Sequence, residues 1–72
     1  MTAYGVYSLN KETWNMALIS KSLSSCLNKV DDLTGQNKDC VILDGEQSTL
    51  RVSYTIYNLP KPIMEFQGIN GY

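Results

Sequence analysis

The sequence contains no histidine and only two cysteines, Cys26 and Cys40. Without histidine, Ser-His and Cys-His nucleophiles, histidine metal sites and the commonest general base are excluded. Two thiols are too few for a cysteine-only zinc site or for the disulfide framework of a secreted mini-protein. We therefore expect no catalytic residue, no metal site and no cofactor, and we expect both cysteines to be free, small, buried hydrophobic side chains.

Phosphate-binding and carboxylate-based motifs are also missing. The five glycines are dispersed along the chain and fit turns and caps rather than a Gly-x-Gly-x-x-Gly or Walker loop. The carboxylates lie mostly at the ends of expected elements, and a catalytic pair such as Asp39 with Asp44 would need burial that short turns rarely supply. We therefore predict that the chain is not an enzyme, and a small enzyme with a carboxylate base is the least favoured hypothesis.

Basic runs and long apolar runs are absent as well. The net charge is −1 and the six basic residues are scattered, which argues against electrostatic binding to nucleic acid. No apolar stretch is long enough to span a bilayer, and the first residues, Met-Thr-Ala-Tyr-Gly, lack the basic region and apolar core of a signal peptide. The expectation is therefore a cytoplasmic protein that binds no membrane.

What remains is a composition typical of one small globular domain, residues 1–72. The chain is 43% hydrophobic and 18% charged, which favours a folded protein over a disordered one. A chain this short buries only about 60% of its unfolded surface. Self-association, for example as a homodimer, would bury more apolar surface and is one expected route to stability.

Residues 9–30 form the only segment with sustained helical periodicity. Asn10 is the expected N-cap, and the helix is expected to end between Val30 and Thr34. When residues are placed at about 100° each, six apolar side chains fall in one stripe that would face the core. These are Met16, Ile19, Leu23, Cys26, Leu27 and Val30.

Trp14 and Leu18 fall outside that stripe, near Lys21 and Ser25. One interpretation is that Trp14 folds back over Leu9 as a hydrophobic staple, while Leu18 is an ordinary exposed leucine. The other is that the two form a second apolar patch that binds a partner or a second copy of the chain. The staple accounts for half of the patch, and both interpretations stay open.

The other expected elements are strands, at residues 2–8, 40–43, 48–58 and 63–67. Alternation is cleanest in residues 48–58, where four apolar side chains share one face. The last strand is expected at an edge of the sheet. These elements give an α+β fold class with the order β-α-β-β-β. In it, one amphipathic helix packs on one face of a small, mainly antiparallel sheet.

Aromatic residues provide the remaining functional signal. Five tyrosines and one tryptophan are present, and Tyr57 shares the polar face of its expected strand with Arg51. Aromatic and arginine side chains are common anchors of protein interfaces. They also stack on the bases of single-stranded nucleic acids.

We therefore predict a small protein-interaction module that occludes a surface of a larger protein, as an inhibitor or adaptor. The partner-binding residues expected are Trp14, Leu18, Arg51, Tyr57 and Tyr72. The alternative is a module that binds nucleotides or single-stranded nucleic acid through sheet-face aromatics. Nucleic acid is the less favoured partner, because the sequence shows no basic groove. The small size alone suggests a viral or mobile-element origin.

Overall fold

A computed structural model describes residues 3–45 and 52–69 of the chain. Within these residues the elements are β1 (Tyr4–Asn10), β2 (Thr13–Ser20), α1 (Leu23–Gly35), β3 (Cys40–Asp44), β4 (Tyr54–Thr55) and β5 (Met64–Phe66). The strands form one sheet with the spatial order β4-β2-β1-β3-β5, and every neighbouring pair is antiparallel. Since α1 packs against β1, β2 and β3, the predicted fold class is confirmed, with one strand more than the predicted order contained.

The predicted start of the helix is wrong, because residues 13–20 form a strand. Asn10 is the last residue of β1 and not an N-cap, and the chain turns through Lys11 and Glu12 into β2. Lys11 has a φ of 60°, the left-handed conformation that a tight hairpin turn needs. β1 and β2 then pair along their lengths, so their backbone groups are satisfied without a helix.

A β-bulge explains why the sequence of β2 does not read as a strand. Val6 pairs with Leu18 and Tyr7 pairs with Met16, which leaves Ala17 without a partner across the ladder. The extra residue shifts the alternation by one position, so Met16 and Leu18 point to opposite faces of the sheet. Strict two-residue alternation, the usual sign of a strand, is therefore missing from this part of the sequence.

The helix begins at Leu23 because Ser22 caps it. The Oγ of Ser22 accepts a hydrogen bond from the backbone N–H of Ser25 at 3.3 Å, which satisfies one of the free donors of the first turn. α1 ends at Gly35, just beyond the predicted limit. Across the described residues, no helix combines the length and apolar character that crossing a membrane requires.

On one side of the sheet, α1 covers a core of buried side chains. Both cysteines lie in this core and are free and buried, as predicted. Their thiols donate weak hydrogen bonds to backbone carbonyls, Cys26 to Tyr4 at 3.9 Å and Cys40 to Lys38 at 3.7 Å. The buried members of this core are Val6, Cys26, Val30, Leu33, Cys40 and Ile42.

The side of the sheet away from α1 carries a second core, which the sequence did not indicate. Tyr7, Val41 and Leu43 are almost fully buried there. Tyr54 and Leu59 pack against them, and the rings of Tyr7 and Tyr54 lie 5.4 Å apart at an angle of 60°. Both faces of the central strands therefore contribute apolar side chains to the interior.

The long strand predicted for residues 48–58 is shorter than expected. Strand structure after β3 begins, within the described residues, at Tyr54 and extends to Thr55. Residues 56–58 form a turn instead, in which the N–H of Asn58 donates to the carbonyl of Thr55 at 3.1 Å. Residues 46–51 lie outside the described part of the chain. β5 lies at one end of the sheet, which confirms the predicted edge position.

Candidate functional site

Trp14 and Leu18 both lie on β2, and the bulge places them on opposite faces of the sheet. Trp14 is 9% exposed and belongs to the core away from α1. Leu18 is half-buried and packs against the core under α1. The interpretation of these two residues as one patch on a helix is therefore wrong. Contact of either one with a partner stays a prediction.

Tyr57 is the most exposed of the large hydrophobic side chains, at 82% among the described residues. It lies in the turn after β4, next to Ile56, whose N–H donates to the carbonyl of Glu12 at 3.0 Å. This places Tyr57 close to the turn that joins β1 and β2. Arg51 and Tyr72 lie outside the described residues, so the predicted pairing of Tyr57 with Arg51 stays a prediction.

An open groove of about 470 Å³ brings Trp14 together with residues from β3 and β5. Val41 and Glu65 pair across these two strands, so their side chains share one face of the sheet. This face is the one that carries Trp14, and most of the groove therefore belongs to the side away from α1. The residues that line it are Trp14, Asp39, Cys40, Val41, Glu65, Phe66 and Gln67.

The two charged side chains among the described residues of this groove, Asp39 and Glu65, are acidic. The Oδ1 of Asp39 accepts a hydrogen bond from the backbone N–H of Gly68 at 2.9 Å, which fixes that carboxylate beside the end of β5. Glu65 is exposed on β5 itself. Among the described residues that line the groove, none is a lysine or an arginine. The described residues that line the groove therefore carry net negative charge.

The combination of an indole and two carboxylates favours a cation as the ligand. The indole of Trp14 contributes to the lining of the groove, although Trp14 as a whole is only 9% exposed. A lysine ammonium or an arginine guanidinium is attracted to the face of such a ring and is paired by nearby carboxylates. Arginine fits both demands best, because its planar guanidinium stacks on rings and binds carboxylates through two parallel hydrogen bonds.

The groove does not offer an activated nucleophile. Burial first, and then the neighbouring charge of Asp39, raise the pKa of the Cys40 thiol to about 11, while Lys38 lowers it slightly. Burial also raises the pKa of Cys26. Since the thiolate is the reactive form, both thiols stay unreactive at neutral pH. Across the described ranges, no group of three His, Cys, Asp or Glu side chains is placed to hold a metal ion.

Two residues of this site, Asp39 and Glu65, were not identified from the sequence. The sequence suggests Asp39 only as a partner of Asp44, which lies at the far end of β3. The structure separates these two and instead brings Asp39 close to residues that follow it by more than twenty positions along the chain. The only local signal was the alternation of residues 63–67, which predicts that Glu65 faces away from Met64 and Phe66.

Comparison with protein families, with curated proteins and with solved structures found no match to this chain. The site is therefore characterised by its own geometry, charge and burial.

Proposed function

We propose that this chain is a small protein-binding module without catalytic activity. It acts in the cytoplasm as an inhibitor or adaptor that occludes a surface of a larger protein. The groove beside Trp14 receives a basic side chain of that partner. The observation that carries this proposal is the described lining of the groove, where an indole lies with the carboxylates of Asp39 and Glu65 and no described lining residue is basic.

The size of the expected interactions defines what the groove contributes. A cation on an aromatic face is worth about 0.5–2 kcal/mol, and a hydrogen bond to a charged group adds about 1.5–3 kcal/mol. One basic side chain therefore gives binding of roughly millimolar strength, since about 4 kcal/mol corresponds to a Kd near 1 mM. The groove selects the partner, and further contacts around it must supply most of the affinity.

Trp14 is the only tryptophan in the chain, so its fluorescence reports directly on the groove. Titration with N-acetyl-arginine amide at constant ionic strength should give a saturable change in emission. The citrulline analogue has the same shape without the charge, and we expect little response to it. Glu65→Gln should weaken the arginine response several-fold, because it removes one of the two carboxylates.

Glu12→Gln is the matched control, because it removes an equal charge from the exposed turn between β1 and β2. It should leave the arginine response unchanged. Equal responses to arginine and citrulline would contradict the proposal. An equal loss of the arginine response in Glu12→Gln and Glu65→Gln would show that the response depends on net charge and not on the groove.

The alternative function, binding of nucleotides or single-stranded nucleic acid, has one observation in its favour. Tyr57 presents most of its ring to solvent, and an exposed ring is a platform on which a base can stack. The acidic groove opposes this function, because carboxylates repel the phosphate backbone. Titration of the protein with short single-stranded oligonucleotides at low salt separates the two. A response from oligonucleotides and none from arginine would favour the alternative.

A further inference from the structure

We propose that the partner adds an extended segment to the outer edge of β5, and that this segment carries a lysine or arginine between two apolar residues. The inference rests on the proposed function, since the basic side chain enters the same groove. It goes further by stating how the partner backbone is held and which sequence pattern the site selects. The structural basis is the direction of the backbone groups and of the side chains of β5.

The backbone of Glu65 is available on the outer edge of the sheet. β5 is the last strand in the spatial order, and no described strand pairs with its outer side. The N–H of Leu9 donates to the carbonyl of Asp39, so the backbone groups of Asp39 point from β3 toward β1. The direction of the backbone N–H and carbonyl groups alternates from one residue to the next along a strand. The backbone groups of Cys40 therefore point toward β5.

The same alternation continues across the ladder between β3 and β5. The carbonyl of Ile42 points toward the β5 side, where it accepts a hydrogen bond from the N–H of Ile63 at 2.8 Å. Cys40 pairs with Phe66, and Ile42 pairs with Met64. Phe66 and Met64 therefore direct their backbone groups inward, toward β3. The N–H and carbonyl of Glu65 then point outward, where a partner strand can exchange two hydrogen bonds with it.

The two faces beside β5 differ in chemistry. Glu65 projects to the face of the acidic groove, as its pairing with Val41 requires. Met64 and Phe66 project to the other face, where they pack against the core under α1. A residue of the partner placed directly opposite Glu65 therefore meets carboxylates, and its two neighbours meet apolar side chains.

Further apolar surface flanks β5 on the helix side. Ile69 is 66% exposed, and its N–H donates to the carbonyl of Thr34 at the end of α1 at 2.9 Å. A partner strand that matches both faces therefore has the pattern apolar–basic–apolar. We expect this strand to run antiparallel to β5, as the neighbouring strands of the sheet do.

Charge also decides between such a segment and a second copy of this chain. Two β5 strands paired about their centres would place Glu65 opposite Glu65 of the second copy. Like charges directly opposite each other destabilise a strand pair. A basic residue in that position is stabilised instead, which favours a basic segment of a different protein over β5 of a second copy.

The test uses a fluorescein-labelled peptide, Ser-Thr-Ile-Arg-Val-Thr-Ser with blocked ends, and three comparison peptides. The first carries citrulline in place of arginine. The second has the same residues in an order that breaks the apolar–basic–apolar alternation. The third carries a methyl group on the backbone nitrogen of the arginine, which removes the hydrogen bond to the Glu65 carbonyl and leaves the side chain charged. Each change should weaken binding about tenfold or more.

Hydrogen exchange of the Glu65 amide, followed by NMR, gives an independent measurement. The arginine peptide should slow this exchange, because the amide becomes hydrogen-bonded to the partner strand. The amide of Tyr57, in the exposed turn, is the internal control and should not change.

The possible outcomes separate the two proposals. If arginine dependence remains but the scrambled and N-methylated peptides bind as well as the parent, the groove function stands and strand addition is wrong. If alternation matters but citrulline binds equally, the basic position is wrong. If neither the peptides nor arginine amide bind, both proposals fail. A concentration-dependent dimer of the free chain with a protected Glu65 amide would assign the edge to a second copy and overturn the inference.

Discussion

At the scale of single residues, two of the described residues other than glycine adopt a backbone conformation that most amino acids avoid. Lys11 and Asn37 have φ angles of 60° and 63°. Asparagine enters this left-handed region readily, because its short polar side chain can bond to the local backbone. Lysine has no such compensation, and it occupies the turn between β1 and β2 because that turn requires a positive φ. The Lys11 position therefore stores a small amount of strain.

Replacing Lys11 with glycine should stabilise the protein by up to about 1 kcal/mol, because glycine adopts positive φ at no steric cost. The gain is limited by the larger conformational entropy of glycine in the unfolded chain. Urea denaturation of the variant and the parent measures the difference. Lys21→Gly is the control, since Lys21 is also exposed and has an ordinary negative φ. A larger gain from the control would contradict the strain argument.

At the scale of the elements, the segment after β5 is held against the end of α1 by close backbone approach. Gly68 donates its N–H to Asp39, and Ile69 donates to Thr34. A Cβ atom added to Gly68 would lie 2.7 Å from the backbone carbon of Asn37. This contact joins the last described residues to the turn between α1 and β3, and it positions Asp39 beside the groove.

Gly68→Ala should therefore destabilise the fold, by about 1–3 kcal/mol, because backbone atoms must shift to remove the overlap. It should also weaken the arginine response of the groove, since the hydrogen bond to Asp39 is lost with that shift. Gly35→Ala is the matched control. Its added methyl group meets no atom within 4 Å, and alanine is the better helix former by about 0.5–1 kcal/mol. Thermal denaturation should give opposite signs for the two variants.

The elements also show what the sequence could and could not predict. Apolar spacing identified Cys26 and Val30 as buried residues of α1, and it identified the short apolar run of β3, but it placed the exposed Leu27 in the same buried stripe. It failed at β2, because the bulge at Ala17 removes the alternation on which strand prediction depends. The groove could not be predicted from the sequence for a different reason. Trp14, Asp39 and Glu65 come from three strands, and their register is set by pairing between distant segments that no local pattern encodes.

At the scale of the whole molecule, the sheet divides the interior into two cores that share β1 and β3. Alternate residues of β3 serve alternate cores: Cys40 and Ile42 lie under α1, and Val41 and Leu43 lie on the other side. A strand buried on both faces consists of consecutive apolar residues instead of alternating ones. This explains how a chain of 72 residues closes a core without disulfides or metal ions in its described residues.

Cys40 lies at the centre of this arrangement and should make the stability of the whole molecule depend on alkaline pH. Its folded-state pKa of about 11 exceeds the ordinary value of 9.0. The folded state therefore keeps a proton that the unfolded state loses. This contribution is fully present below pH 9 and is lost as pH rises from about 9 to about 11, at most about 2–3 kcal/mol.

Urea denaturation at pH 8 and pH 11 measures this loss, and Cys40→Ala provides the reference. The variant should be less stable than the parent at pH 8, because a buried sulfur atom is removed. Its stability should nevertheless fall less between the two pH values. The two proteins differ only at position 40, so contributions from the rest of the chain cancel in the difference. Parallel pH profiles would show that Cys40 is not the source.

The bulge in β2 has a consequence for changes in the length of the chain. Ala17 is the one residue of the β1–β2 ladder without a partner. Deleting it would leave Val6 opposite Leu18 and Tyr7 opposite Met16, with no side chain moved to the other face. A deletion farther from the bulge would move the side chains between that position and the bulge to the other face of the sheet. Related chains can therefore differ by one residue at this point of the strand without exchanging side chains between the two cores.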